Sequence, residues 1–175
     1  MKVTIFTRLA IGYLIIFLLV TLMGVYMHSH LNNLEANILS ITNIDNRLLD
    51  INKKLLNTFL SEVQNEKKYI VTKDEIFHTH FVEAVEEFRR YLREKKSLAK
   101  TDAMRHLLEE IEDAHQKYVT LCNEEFDLLK NNKRYVPDDF ASEKEFVSSL
   151  TLGRLKEFTS LVETQSHETI LRLGV

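Results

Sequence analysis

Apolar residues fall along this chain in two patterns: one uninterrupted run near the start, then four amphipathic stripes. From Leu9 to Met27 the sequence LAIGYLIIFLLVTLMGVYM holds nineteen residues without a charge. A bilayer core of roughly 30 Å needs about 20 apolar helical residues, and in lipid a helix satisfies every backbone polar group within its own segment. The run therefore predicts one transmembrane helix over residues 9–27. Tyr13 and Tyr26 stand near its ends, where rings with a polar tip favour headgroup level. Gly12 and Gly24 are too far apart to make a GxxxG packing face. The run exceeds the roughly 7–15 residues of a signal-peptide core, and VYMHSHL offers no small-residue cleavage site, so an uncleaved anchor is expected.

Beyond the anchor the period changes. Leu34, Ile38, Ile41, Ile44, Leu48, Ile51, Leu55 and Phe59 recur every three or four residues, one face of a helix that no breaker separates from the apolar run. This first helix should reach about Val71. Thr72 and Glu75 have the spacing of a capping box, after which Phe77, Phe81, Val85, Phe88 and Leu92 stripe a second helix. Thr101 or Asp102 can cap a third, with Met104, Leu108, Ile111, Tyr118, Cys122 and Leu129 on its face. Asn131, Asn132 and Pro137 end it, since proline lacks the N–H and restricts the residue before it. Ser142 with Glu145 can cap a fourth helix, Asp138 being the alternative, and its face includes Val147, Leu150, Phe158, Leu161 and Ile170. Short connections between long helices favour antiparallel neighbours. The expected fold is all-α: an N-terminal transmembrane helix continuing into an up-down-up-down four-helix bundle. Its parts are a leader at 1–8, the anchor at 9–27 and the bundle at 28–175.

Helix lengths add one expectation. At 1.5 Å per residue the fourth helix stops about 20 Å short of the bilayer from which the first one rose. Gly174 can serve as a stop, but the count favours a fragment that would continue into a second crossing.

Composition agrees with the helical pattern. Pro137 is the only proline, and outside the anchor only Gly153 and Gly174 are glycines, too few for the turns of a sandwich or a doubly wound sheet. Lys2 and Arg8 precede the apolar run and no lysine or arginine follows it before Arg47, which places the N-terminus in the cytoplasm. Residues 31–175 carry 21 basic and 26 acidic side chains, a formal charge of −5. Without a basic stripe, nucleic acid is not an expected partner. Cys122 is the only cysteine, so no intrachain disulfide forms.

The stretch Glu62-Val-Gln-Asn-Glu66-Lys-Lys-Tyr69-Ile-Val-Thr72-Lys-Asp74, followed by Phe77, Phe81 and Phe88, resembles a helix turn in one class of receptor. The class is the extracytoplasmic four-helix sensor modules of bacterial sensor histidine kinases and methyl-accepting chemotaxis receptors, CHASE-type modules included. Lys68 stands where many members carry glycine. The resemblance implies a bundle outside the inner (cytoplasmic) membrane of a bacterium, and a homodimeric input module answering a small-molecule or protein stimulus. It also implies that the fourth helix shifts against the first, small movements becoming discrete outputs because packed cores are bistable. A self-contained, membrane-anchored helical scaffold is the alternative.

No catalytic residue, cofactor or metal site is expected. His167-Glu168 reads as a helix surface rather than a phosphoacceptor. His28/His30 and His78/His80 are two apart, so on a helix they diverge by about 200° and cannot share an ion unaided. Glu62 and Glu66 have i, i+4 spacing, but a di-iron site also needs Glu-x-x-His motifs on facing helices. With Lys67, Lys68 and Lys73 beside them they read as a solvated charge network. Cys122 reads as a packed small hydrophobe, and no phosphate loop or nucleophile elbow occurs. Arg47 is the one ligand-binding candidate, able to meet an anion; pairing with Asp45, Asp50 or solvent is the plainer expectation.

Overall fold

The computed structural model describes the backbone of residues 5–131, 136 and 138–172, and side chains at 17–23, 43–131, 136, 138–168 and 171. Four helices and no strand occur among the described residues: α1 (Ile5–Thr72), α2 (Glu75–Leu98), α3 (Asp102–Lys130) and α4 (Asp138–Arg172). The chain is all-helical. As the unbroken pattern required, α1 is a single helix of 68 residues, roughly 100 Å long. Among the described residues no helix is long and apolar enough to cross a membrane. Of the run Leu9–Met27, only 17–23 have described side chains; the large apolar ones among them, Phe17 to Met23, are exposed. The rest of the run, the leader at 1–8, His28, His30, Leu34, Ile38, Ile41, Asn132, Pro137, Ile170 and Gly174 lie outside the described side chains.

Contacts at both ends fix the topology. Arg47 meets Glu94 and Tyr69 meets His78, so α1 and α2 run antiparallel. Phe81 meets Phe126 and Lys96 meets Glu112 between α2 and α3. Lys117 meets Glu143 and Thr101 meets Gln165 between α3 and α4. Glu66 meets Lys144 while Asn52 meets Leu155, which returns α4 alongside α1. The four helices form an up-down-up-down bundle.

The turn between α1 and α2 differs from the expected capping box. Thr72 is still helical and bonds back to the Lys68 carbonyl at 2.8 Å, so it cannot serve as the N-cap. Asp74, in extended conformation, accepts instead from the Ile76 N–H at 3.0 Å. Lys73 turns the chain with φ 55°, a left-handed conformation that costs a residue with a Cβ about 1 kcal/mol. Thr101 caps α3 by accepting from the Met104 N–H, as expected. Helix α4 starts at Asp138, which leaves Ser142 and Glu145 inside it.

The core contains Leu48, Ile51, Leu55 and Phe59 from α1, and Phe81, Val85, Phe88 and Leu92 from α2. From α3 come Met104, Leu108, Ile111, Tyr118 and Cys122, all on the predicted stripes. Leu129 and Leu161 are half-buried. On α4 the stripe is rotated: Leu150 is 38% exposed, and Val147, Thr151, Leu155, Phe158 and Val162 face inward. The inward set includes a threonine, so counting only large apolar residues misses the face.

Candidate functional site

Polar side chains interrupt this core at three levels, each placed by its helix at a position where the stripe calls for an apolar residue. Lys95 lies three residues after Leu92, and Asn52 three before Leu55. His115 follows Ile111 by four, Glu125 follows Cys122 by three, and Lys144 precedes Val147 by three. All five are buried. A charged or polar residue in register with a core stripe was the available signal, and reading the stripes by their apolar members alone passed over it.

At the level away from the α1–α2 turn, Lys95 is fully buried and donates to the Asn52 side-chain carbonyl. Asn52 in turn donates to the Leu155 carbonyl and the Thr159 hydroxyl, both at 2.8 Å, tying α1 and α2 to α4. The Lys95 nitrogen stands 3.6 Å from the centre of the Phe158 ring. Burial depresses its pKa from 10.5 to about 6.

One level further, His115 Nε2 lies 2.9 and 3.2 Å from the two oxygens of Glu62. The imidazole stacks on Phe88 at 3.9 Å between centres and meets Phe59 edge-on. Burial raises the Glu62 pKa, and the hydrogen bond from His115 only partly opposes it.

At the third level Lys144 of α4 reaches between Glu66 of α1 and Glu125 of α3 and bonds both. Burial raises the Glu66 pKa against the pull of that ammonium. For Lys144, burial disfavours the charge, but the bonds to Glu125 and Glu66 outweigh it and hold the pKa above the ordinary lysine value. A cavity of about 560 Å³ opens above this trio between α1, α3 and α4. Tyr118 also lines it. That ring is 1% exposed, and its hydroxyl is buried beside the Cys122 thiol. The Cys122 thiol lies close enough to influence it, and burial pushes both groups' pKa values up.

These positions correct two expectations. Glu62 and Glu66 do not form a solvated network with Lys67, Lys68 and Lys73, because helix packing turns them inward, where partners from α3 and α4 meet them. Arg47 pairs with neither Asp45 nor Asp50: it holds Glu94 of α2 at 2.8 Å while 64% exposed. Asp45 instead meets Lys100, and Asp50 meets Lys54. Cys122 is fully buried, as a packed hydrophobe should be. His80 and His167 are exposed, and His78 sits between the rings of Tyr69 and Phe126.

Glu-x-x-His spacing does occur, at Glu75–His78 and Glu112–His115. Only His115 approaches the paired glutamates; Glu112 is exposed and bonds Lys96. Among the described residues no group of three or more histidine, cysteine, aspartate or glutamate side chains could hold a metal ion.

Fold and site together define a helical bundle with a buried polar axis and a cavity at one end of it. Protein-family models, curated proteins and solved structures were all compared with the chain, and none matches.

Proposed function

We propose that this chain is the sensory input module of a bacterial membrane receptor, anchored through residues 9–27 with its bundle outside the cytoplasm. The observation that carries the reading is the continuity of α1. One helix contains the apolar run and, further along, Glu62 and Glu66, which hold α3 and α4. A change at the buried polar axis therefore acts on the same rod that enters the bilayer. Lys144 gives α4 a charged link to α1, the pair of helices whose relative shift would carry the signal. The module works as a homodimer in this reading, with a small molecule or a protein as stimulus, and performs no catalysis itself.

Cysteine accessibility tests the arrangement. With Cys122→Ser as background, the exposed Glu83→Cys should react with a membrane-impermeant maleimide in intact bacteria. Lys2→Cys should react only after permeabilisation. Labelling in the reverse order, or recovery of the full chain from the cytosol, overturns the proposal.

A further inference from the structure

The outer seam between α3 and α4 carries an apolar patch between two ion pairs, and the order of the charges sets what fits on it. We propose that a second copy of this chain docks there, α3 and α4 of each copy packing side by side and in parallel against α4 and α3 of the other. On the apolar side, Phe146 is 65% exposed and Leu150, one turn on, is 38% exposed. Both border a groove of about 330 Å³ whose floor includes Ala114 and Val147. A second cavity of about 520 Å³, reaching to Thr164, shares Glu110 and Arg154 with it, so the seam stays open along much of its length. Single exposed apolar residues need no partner, but an aromatic and a leucine on one helix face beside a groove make a patch. Gly153 lies three residues after Leu150 and is also exposed. A Cβ there would meet nothing within 4 Å, so packing within one copy does not require a glycine at this mid-helix position. Glycine costs a helix interior about 0.5–1 kcal/mol relative to alanine, and its use is the close approach of another backbone.

The charges fit a second copy in one register. On one side of the apolar pair, Lys117 of α3 meets Glu143 of α4 at 2.7 Å; on the other, Glu110 of α3 meets Arg154 of α4 at 3.0 Å. The signs are exchanged between the helices from one level to the next, and each of the four side chains is at least a third exposed. A two-fold axis along the seam sets α3 of each copy beside α4 of the other. Lys117 then also faces Glu143 of the second copy, and Glu110 faces its Arg154. Sliding one copy until Lys117 meets the other's Arg154 sets base against base, so complementarity fixes the register. The inference deepens the input-module reading by naming the dimer face, and it rests on that reading for the parallel direction. Two chains held in one membrane by the same end of α1 meet side by side, not head to tail.

Sedimentation equilibrium of the full chain in density-matched detergent tests the face. The parent should be dimeric, and Phe146→Glu should raise the dissociation constant by about tenfold or more while melting like the parent. Leu60→Glu, at an exposed position of α1, should leave the constant unchanged. Gly153→Gln, for which one copy has room, should weaken the dimer without lowering the melting temperature, and it decides if Phe146→Glu does not fold. A monomeric parent overturns the proposal, as does a dimer that Phe146→Glu and Gly153→Gln leave intact or that Leu60→Glu weakens equally. A short bismaleimide on Cys122→Ser chains carrying different tags tests the direction. A Glu110→Cys chain mixed with an Arg154→Cys chain should be joined, which leaves the other copy of that ion pair in place. A Glu143→Cys chain mixed with an Arg154→Cys chain should not be joined, and the reverse result means antiparallel copies and overturns the proposal. Failure here with the expected maleimide topology removes this face and leaves the anchored bundle intact; a dimer through Phe146 in a chain recovered from the cytosol does the opposite.

Discussion

Two lysines are buried in this bundle, and their surroundings push them in opposite directions. Lys95 has an amide carbonyl and an aromatic face for company, and its pKa falls to about 6. Lys144 has two carboxylates, and its pKa rises although burial opposes the charge. Desolvating an ion costs several kcal/mol in real proteins. One opposite charge at about 4 Å returns roughly 4 kcal/mol at an effective dielectric constant near 20. Two carboxylates therefore reverse the sign of the balance, and an asparagine cannot. Burial is common to both residues; the countercharges decide the protonation state. At neutral pH Lys95 is mainly an uncharged amine that pins α2 to α1, while Lys144 is an ammonium that pins α4 to α1 and α3.

The most severe way to break this contrast is to remove the ammonium from the trio. Lys144→Met leaves the buried Glu66 without its ammonium and removes the bond from Lys144 to Glu125, which should cost about 3–5 kcal/mol in urea denaturation. A loss below about 1 kcal/mol would mean that Glu66 does not depend on the Lys144 ammonium.

Lys95→Met should do the opposite, because it deletes a charge site that burial already penalises, while Asn52 keeps its bonds to Leu155 and Thr159. The pH dependence gives the sign. In the unfolded chain this lysine holds its proton up to its ordinary pKa of 10.5, and in the fold only up to about 6. Between those values unfolding takes up a proton, so the penalty is fully present below pH 6 and fades as pH rises toward 10.5. The variant should therefore exceed the parent most at pH 6. Its advantage should shrink by up to about tenfold in unfolding constant per pH unit. A difference independent of pH between 6 and 9 would count against a depressed Lys95.

A smaller effect belongs to the intermediate level, where one carboxylate meets one imidazole. Glu62→Gln keeps the shape and a polar contact to His115 but removes the negative charge, and should change stability by about 1–2 kcal/mol. A larger loss would show that the His115 contact needs the charged carboxylate. Smallest of all, Arg47→Ala breaks an exposed pair with Glu94 and should cost less than about 1 kcal/mol, with less still at high salt.

The helix count, the antiparallel order and most of the core were legible in the chain because apolar spacing of three and four residues needs no knowledge of neighbours. The α1–α2 boundary was legible as a place but not as chemistry: whether Thr72 or Asp74 caps α2 depends on where α1 releases the backbone, at Lys73. The site was barely legible. Glu62 and Glu66 were visible as a pair, yet the lysines beside them in sequence suggested a solvent-facing network.

The sequence alone determined which residues share a helical face, since backbone geometry sets that locally. Only the tertiary structure decided what each face meets. The partners of Glu62 and Glu66 lie 53 and 78 residues away in the chain. The difference between a depressed Lys95 and an elevated Lys144 arises from those distant contacts, because the local stripe buries both alike and only packing supplies or withholds the opposing charge.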